Sequence, residues 1–226
     1  MEAGAEVCII DINPKTPEVA KEFCDRGFTC HSVIANLGDA ESLKNGFEDA
    51  VKSLGGHLDI IVNGAGVQKR HPSEEFPYED WEFVLNINLN AVFRLCQLAG
   101  KQFMAQGSKG KIINIASMLS FFGGFTVPAY AASKGGVAQL TKALCNEWAG
   151  KGINVNALAP GYMDTEMNTA LTDPSNPRFK EITDRIPAHV WGTPEDMKGP
   201  CVFLASAASD YLNGAIIPVD GGYLVK

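Results

Sequence analysis

Tyr130 and Lys134 stand four residues apart in PAYAASKGGVAQL, a run of small residues that Pro128 opens as a helix. On a helix that spacing puts both side chains on one face. A free tyrosine titrates near pH ~10, too high to trade protons efficiently at neutral pH. An ammonium one turn away favours the phenolate and brings that value down. Ser117 follows the apolar run Ile112, Ile113, Ile115, which reads as a buried strand. Open α/β sheets keep their ligands at the carboxyl ends of strands, so this hydroxyl can hold a carbonyl oxygen beside the phenol. The three residues suit proton exchange at an alcohol or carbonyl oxygen. A tyrosine and a lysine at helical spacing are by themselves an ordinary surface pair. The serine at a strand tip, with Ala131, Ala132 and Ser133 between the other two, turns the reading towards chemistry.

The elements that must position them alternate along the chain. Strands are expected over Glu6–Asp11, Thr29–Ile34, Leu58–Val62, Lys111–Ala116, Asn154–Ala159 and Ala215–Val219. Helices are expected over Pro14–Arg26, Asp39–Leu54, from 79 or 80 to 105 with a bend near Asn86–Asn90, from Pro128 to about Gly150, and over Pro194–Ala205. Asp39 caps the second of these and Gly55-Gly56 closes it. Such alternation predicts an α/β fold, a Rossmann-like doubly wound parallel sheet with right-handed crossovers, in one domain over 1–226. The polar, proline-containing stretch from Tyr162 to about 193 has weak periodicity and reads as a mobile lid.

Composition narrows the function. Of 226 residues, 46% are hydrophobic, enough for a substantial core. A net charge of −7 gives no basic patch, which argues against a nucleic-acid partner. Apolar runs are of strand length, too short for a membrane span, and no secretory leader opens the chain, so a cytoplasmic location is expected. The six cysteines have no C-x-x-C spacing and the four histidines no metal-ligand spacing; free thiols and no metal site are expected.

Asp11 ends the strand EVCIID. In dinucleotide folds an acid there accepts hydrogen bonds from the adenine ribose and repels a 2′-phosphate, favouring NAD over NADP. The competing role is a turn aspartate before Asn13-Pro14. Asn63-Gly64-Ala65-Gly66 follows another strand, where glycine lets the backbone come close to a cofactor and also suits any turn. Arg70, in the next loop, carries a fork of donors that matches a carboxylate.

Ser117 and Tyr130-Ala131-Ala132-Ser133-Lys134 resemble the serine and Y-x-A-S-K elements of the short-chain dehydrogenase/reductase family. The resemblance implies NAD as cofactor, with Tyr130 as the proton-exchanging group, Ser117 on the carbonyl oxygen and Lys134 on the cofactor ribose. It selects Asn88 in LNINLNAVF as the asparagine that holds a water beside the lysine. Asn63-Gly64-Ala65-Gly66 resembles N-N-A-G, which packs the sheet and borders the adenosine, with Gly64 in place of the second asparagine. Asn36 stands where an adenine-contacting aspartate is usual. Pro160-Gly161 matches the turn beside the nicotinamide, and Thr165 a residue that binds the carboxamide or a phosphate.

The family also places a strand, a T-G-x-x-x-G-I-G turn and a helix ahead of Asp11. None is found here, so the chain is expected to lack the first βα unit, about 30 residues. That strand lies mid-sheet, and its loss is expected to separate the Glu6 and Thr29 strands from the others and to weaken stability and cofactor binding. A denser likeness from Ile60 to Gly222 is to family members acting on small sugar acids of the 2-dehydro-3-deoxy-D-gluconate and 2-deoxy-D-gluconate type. Arg70 matches an arginine of that group and is a candidate to pair with the substrate carboxylate, the alternative being a solvated loop arginine; Gln68, Ser120, Tyr162 and Trp191 are candidates to line the pocket. Val190 departs from an arginine that usually precedes Trp-Gly there. The family's usual assembly is a homotetramer. Alternatives are a reductase of another carbonyl, of gluconate 5-dehydrogenase or 3-oxoacyl type, or a catalytically silent subunit.

Overall fold

A computed structural model of the chain describes residues 1–173 and 175–226. Strands β1 (Val7–Asp11), β2 (Cys30–Ile34), β3 (Ile60–Asn63), β4 (Gly110–Ile115), β5 (Ile153–Pro160) and β6 (Ile216–Val219) all pair in parallel. Helices α1 (Thr16–Asp25), α2 (Ala40–Ser53), α3 (Tyr78–Leu85), α4 (Ala91–Gln106) and α5 (Pro128–Trp148) connect the first five strands, and α6 (Thr169–Thr172), α7 (Pro177–Arg185) and α8 (Lys198–Ala205) precede the last. Each expected strand and helix is found, with ends shifted by a few residues.

β4 and β5 are buried along nearly their whole length, as parallel strands covered on both faces must be. The pleat splits their side chains between two cores. Ile112, Val155 and Ala157 pack with Leu43 and Phe47 of α2, Leu95 and Phe103 of α4, and Val137 and Leu144 of α5. Ile113 and Leu158 face the other way, against Leu204 of α8.

The strands form two sheets, β2-β1 and β3-β4-β5-β6, with β1 and β3 unpaired on their facing edges. This is the separation expected when no strand stands between them. Helix packing joins the two: α2 lies against α4 in the larger core, and Asn86 Nδ2 donates to Gly38 O at 2.8 Å.

Two local features aim the site. The expected bend between α3 and α4 is a π-helical turn, Asn86–Asn90, which rotates Asn88 into the interior. α5 starts with Pro128 at its first turn, where a missing N–H costs nothing, so Tyr130 falls one turn in.

The stretch expected to be without periodicity holds α6 and α7. Pro177 and the side chain of Asn176, which accepts from Arg178 N at 3.0 Å, start α7, and Ile182 and Ile186 bury its apolar stripe. Its nine residues are too few for a clear periodic signal. Pro174, within the expected lid, lies outside the described residues. No helix among the described residues is long and apolar enough to cross a membrane, and no described His/Cys/Asp/Glu cluster could hold a metal ion.

Candidate active site

The carboxyl ends of β4 and β5 and the start of α5 border a cavity of about 260 Å³. Ser117, Tyr130, Gly161, Tyr162, Gln68 and Arg70, all singled out from the sequence, line it. Ser117 leaves β4 in extended conformation, and its Oγ accepts from Leu119 N at 3.2 Å.

Burial pushes the Tyr130 pKa above its ordinary value, and the Ser117 side chain acts against that rise. The expected lowering by Lys134 takes a different form. Lys134 Nζ lies 5.6 Å from the Tyr130 ring centre and donates to Ile115 O at 2.6 Å. It is buried, and desolvation brings its own pKa down to about 8. The lysine is thus itself able to exchange a proton near neutrality.

Asn88 fastens the loop opposite. Its Oδ1 accepts from Val67 N at 2.8 Å, and its Nδ2 donates to Val67 O at 2.9 Å and to Ser133 Oγ at 3.2 Å. A Cβ on Gly66 would sit 3.5 Å from Asn88 Oδ1 and 3.8 Å from Lys134 Nζ, so the loop backbone passes directly over both groups. An ammonium has three donors, and Lys134 uses one on a described residue. Two remaining donors beside a phenol and a bare backbone loop suit the vicinal hydroxyls of a ribose. The residues present thus fit the nicotinamide end of a dinucleotide.

The residues expected at the adenosine end make turn and sheet contacts. Asp11 Oδ1 accepts from Asn13 N at 2.9 Å, the turn role weighed against ribose binding, and its Oδ2 has no partner among the described residues. Asn36 Oδ1 likewise accepts from Gly38 N at 2.9 Å. Asn63 is buried in the sheet, donating to Asn114 Oδ1 at 2.8 Å, while its own Oδ1 has no partner. Its side chain serves packing rather than the cavity; Ala65 is exposed.

Pro160 pairs with Val219 at the end of β5, and Gly161 N donates to Val219 O at 2.9 Å. A Cβ on Gly161 would come within 2.6 Å of Asp220 Cα, so glycine is what allows this corner to close. Thr165 heads the short turn Glu166–Asn168 and is not among the residues lining the cavity.

Two expected lining residues are elsewhere. Ser120 Oγ donates to Lys134 O at 2.7 Å and accepts from Ser117 N at 3.3 Å, which ties the β4 exit to α5. Trp191 stacks on Phe179, meets Tyr162 edge-on and donates from Nε1 to Thr183 Oγ1 at 2.9 Å, so it packs behind the wall. The sequence reading missed Arg178, Glu181 and Arg185, which line the cavity from α7. Their i, i+3, i+7 spacing marks one helical face and becomes legible once that segment is taken as a helix.

The enoyl-(acyl carrier protein) reductase family model matches residues 1–224. The 2-dehydro-3-deoxy-D-gluconate 5-dehydrogenase of Escherichia coli K12 is 48% identical over 225 residues, covering all of this chain and 88% of that protein. The 5-keto-D-gluconate 5-reductase of the same organism is 41% identical over 224 residues, 98% of this chain and 87% of that one. A gluconate 5-dehydrogenase from Burkholderia cenocepacia J2315, solved in complex with NADP and tartrate, superposes with a TM-score of 0.94 at 39% identity, covering all of this chain and 88% of that one.

Proposed function

The chain belongs to the short-chain dehydrogenase/reductase family, and from that premise we propose that it interconverts a secondary alcohol and a ketone on a small sugar acid of the 2-dehydro-3-deoxy-D-gluconate or 2-deoxy-D-gluconate type. One observation carries the reading: Ser117 and Tyr130 line one cavity together with Gln68 and Arg70. At about 260 Å³ it is slightly smaller than typical ligand pockets, which run from roughly 300 to 1,000 Å³, as suits a small substrate. The sugar-acid names of the relatives at 48% and 41% identity, and the tartrate held by the Burkholderia enzyme, support the same class.

A nicotinamide cofactor, when bound, supplies the hydride chemistry. Lys134 holds it by the ribose, the loop from Asn63 through Ala65 and Gly66 together with Asn36 borders its adenosine, and Pro160-Gly161 and Thr165 border the nicotinamide end. In the oxidative direction Tyr130, as phenolate, takes the alcohol proton at its Oη. Ser117 donates a hydrogen bond to the oxygen that becomes the carbonyl. Lys134 passes the proton onward, and Asn88 keeps a water beside it and holds the loop at Val67 in place. Arg70 pairs with the substrate carboxylate, and 162–193 acts as the lid. NAD is the preferred form in this reading, because in dinucleotide folds an acid at the end of such a strand repels a 2′-phosphate, the role given to Asp11. A homotetramer is the assembly; the exposed Phe83, Phe93 and Met104 of α3 and α4 support an apolar contact between copies.

A second reading, a catalytically silent subunit, draws on the unpaired edges of β1 and β3. The test is NADH formation from 2-deoxy-D-gluconate by the chain and by its Tyr130→Phe variant. Turnover that falls by about 10²–10⁴-fold in the variant supports the mechanism. A folded chain without turnover on any sugar acid favours the silent subunit.

A further inference from the structure

Arg70 and Arg178 reach the cavity from elements more than a hundred residues apart in the chain. Arg70 comes from the loop after β3, Arg178 from the first turn of α7. Both guanidiniums lack an acidic partner among the described residues. Neighbouring basic side chains have partners: Lys69 and His71 on Asp80, Lys180 on Asp184, while Arg185 lies 4.3 Å over the Tyr223 ring. Three arginines and one acid, Glu181, line this wall, and no ion pair joins Glu181 to any of them. A local excess of positive charge in a chain of net charge −7 calls for an anion.

Burial lowers the Arg70 pKa, and the positive charge of Arg178 lowers it further. Two guanidiniums that feel each other's charge in a partly desolvated cavity raise the energy of the empty site. A carboxylate between them removes that repulsion and takes forked hydrogen bonds from both.

We propose that Arg178 is the second jaw of a carboxylate clamp with Arg70, and that the pair selects substrates ionised at the end remote from the carbon held by Ser117 and Tyr130. This rests on the sugar-acid reading above and adds a specificity residue to it. Glu181, across the same wall, accepts from substrate hydroxyls and disfavours a second carboxylate. Sugars and polyols of the same length, lacking the charge, lose the clamp and bind weakly.

The test compares the full chain with Arg178→Gln, Arg70→Gln, the double variant and Arg178→Lys. Each is assayed on 2-deoxy-D-gluconate and on the uncharged polyol of the same carbon skeleton. Binding of gluconate without cofactor is measured in parallel by calorimetry. Arg178→Gln is expected to raise KM for the acid by about 10–100-fold, the scale of a lost hydrogen bond between charged groups. The loss on the polyol should be several-fold smaller than the loss on the acid, and the effect on the acid should fall on KM more than on kcat. Arg178→Lys should recover part of the loss, and the double variant should lose less than the two single losses combined. An equal loss on acid and polyol, or an unchanged KM for the acid, overturns the clamp while leaving the proposed function intact. If the wild-type chain turns over no sugar acid yet binds gluconate in a manner that needs Arg178, the clamp stands and the functional reading falls. If gluconate binding is the same with and without Arg178, the clamp falls.

Discussion

Replacing Lys134 by methionine tests the electrostatics of the site without substrate or cofactor. The Lys134 pKa drops from its ordinary 10.5 to about 8 because burial disfavours the ammonium. Between those values the unfolded chain binds more protons than the folded one, so wild-type stability rises with pH across that window. The penalty is complete below pH ~8, where it amounts to about 3 kcal/mol, and vanishes above pH ~10.5. Methionine has similar length and no charge, so the variant escapes the penalty. It also loses the bond to Ile115 O, which offsets about 1 kcal/mol at every pH. The variant should therefore be more stable than wild type by about 2 kcal/mol at pH 7, with the advantage shrinking to near zero by about pH 9.5. Urea unfolding of both chains at several pH values reads this directly. A stability difference that does not change with pH would refute the argument, since it would mean the ammonium is solvated in the fold. The same variant should be inactive, which separates the lysine's cost to folding from its use in catalysis.

Two other substitutions probe the cofactor end and the cavity corner. Asp11→Ser removes the carboxylate expected to repel a 2′-phosphate, and should shift the NADP-to-NAD ratio of kcat/KM towards NADP by about tenfold or more; an unchanged ratio would leave Asp11 only its turn at Asn13. Gly161→Ala forces a methyl to within 2.6 Å of Asp220 Cα, a backbone atom that cannot swing aside. It should lower unfolding free energy by about 1–3 kcal/mol and widen the cavity corner, seen as a lower urea midpoint together with a raised KM.

The sequence by itself determined the order and type of the strands and of the helices outside 162–193, because caps and periodic burial act within a few residues. Asp39 takes its hydrogen bond from Ser42, Pro128 begins its helix, and the apolar runs of β4 and β5 are buried as their composition demands. It also determined the Ser117, Tyr130, Lys134 set, whose spacing needs only one strand end and one helical turn. The asparagine run announced the bend around Asn88 in the same way. Only the tertiary structure decided how those groups behave. Desolvation of Lys134 and of Tyr130, and the structural roles of Ser120 and Trp191, depend on neighbours brought in by the fold. The anion-facing wall is the clearest case. Arg70 and Arg178 have no relation in the sequence, and their shared charge exists only because α7 folds back over the end of the sheet, where a long-range contact replaces water with a second cation.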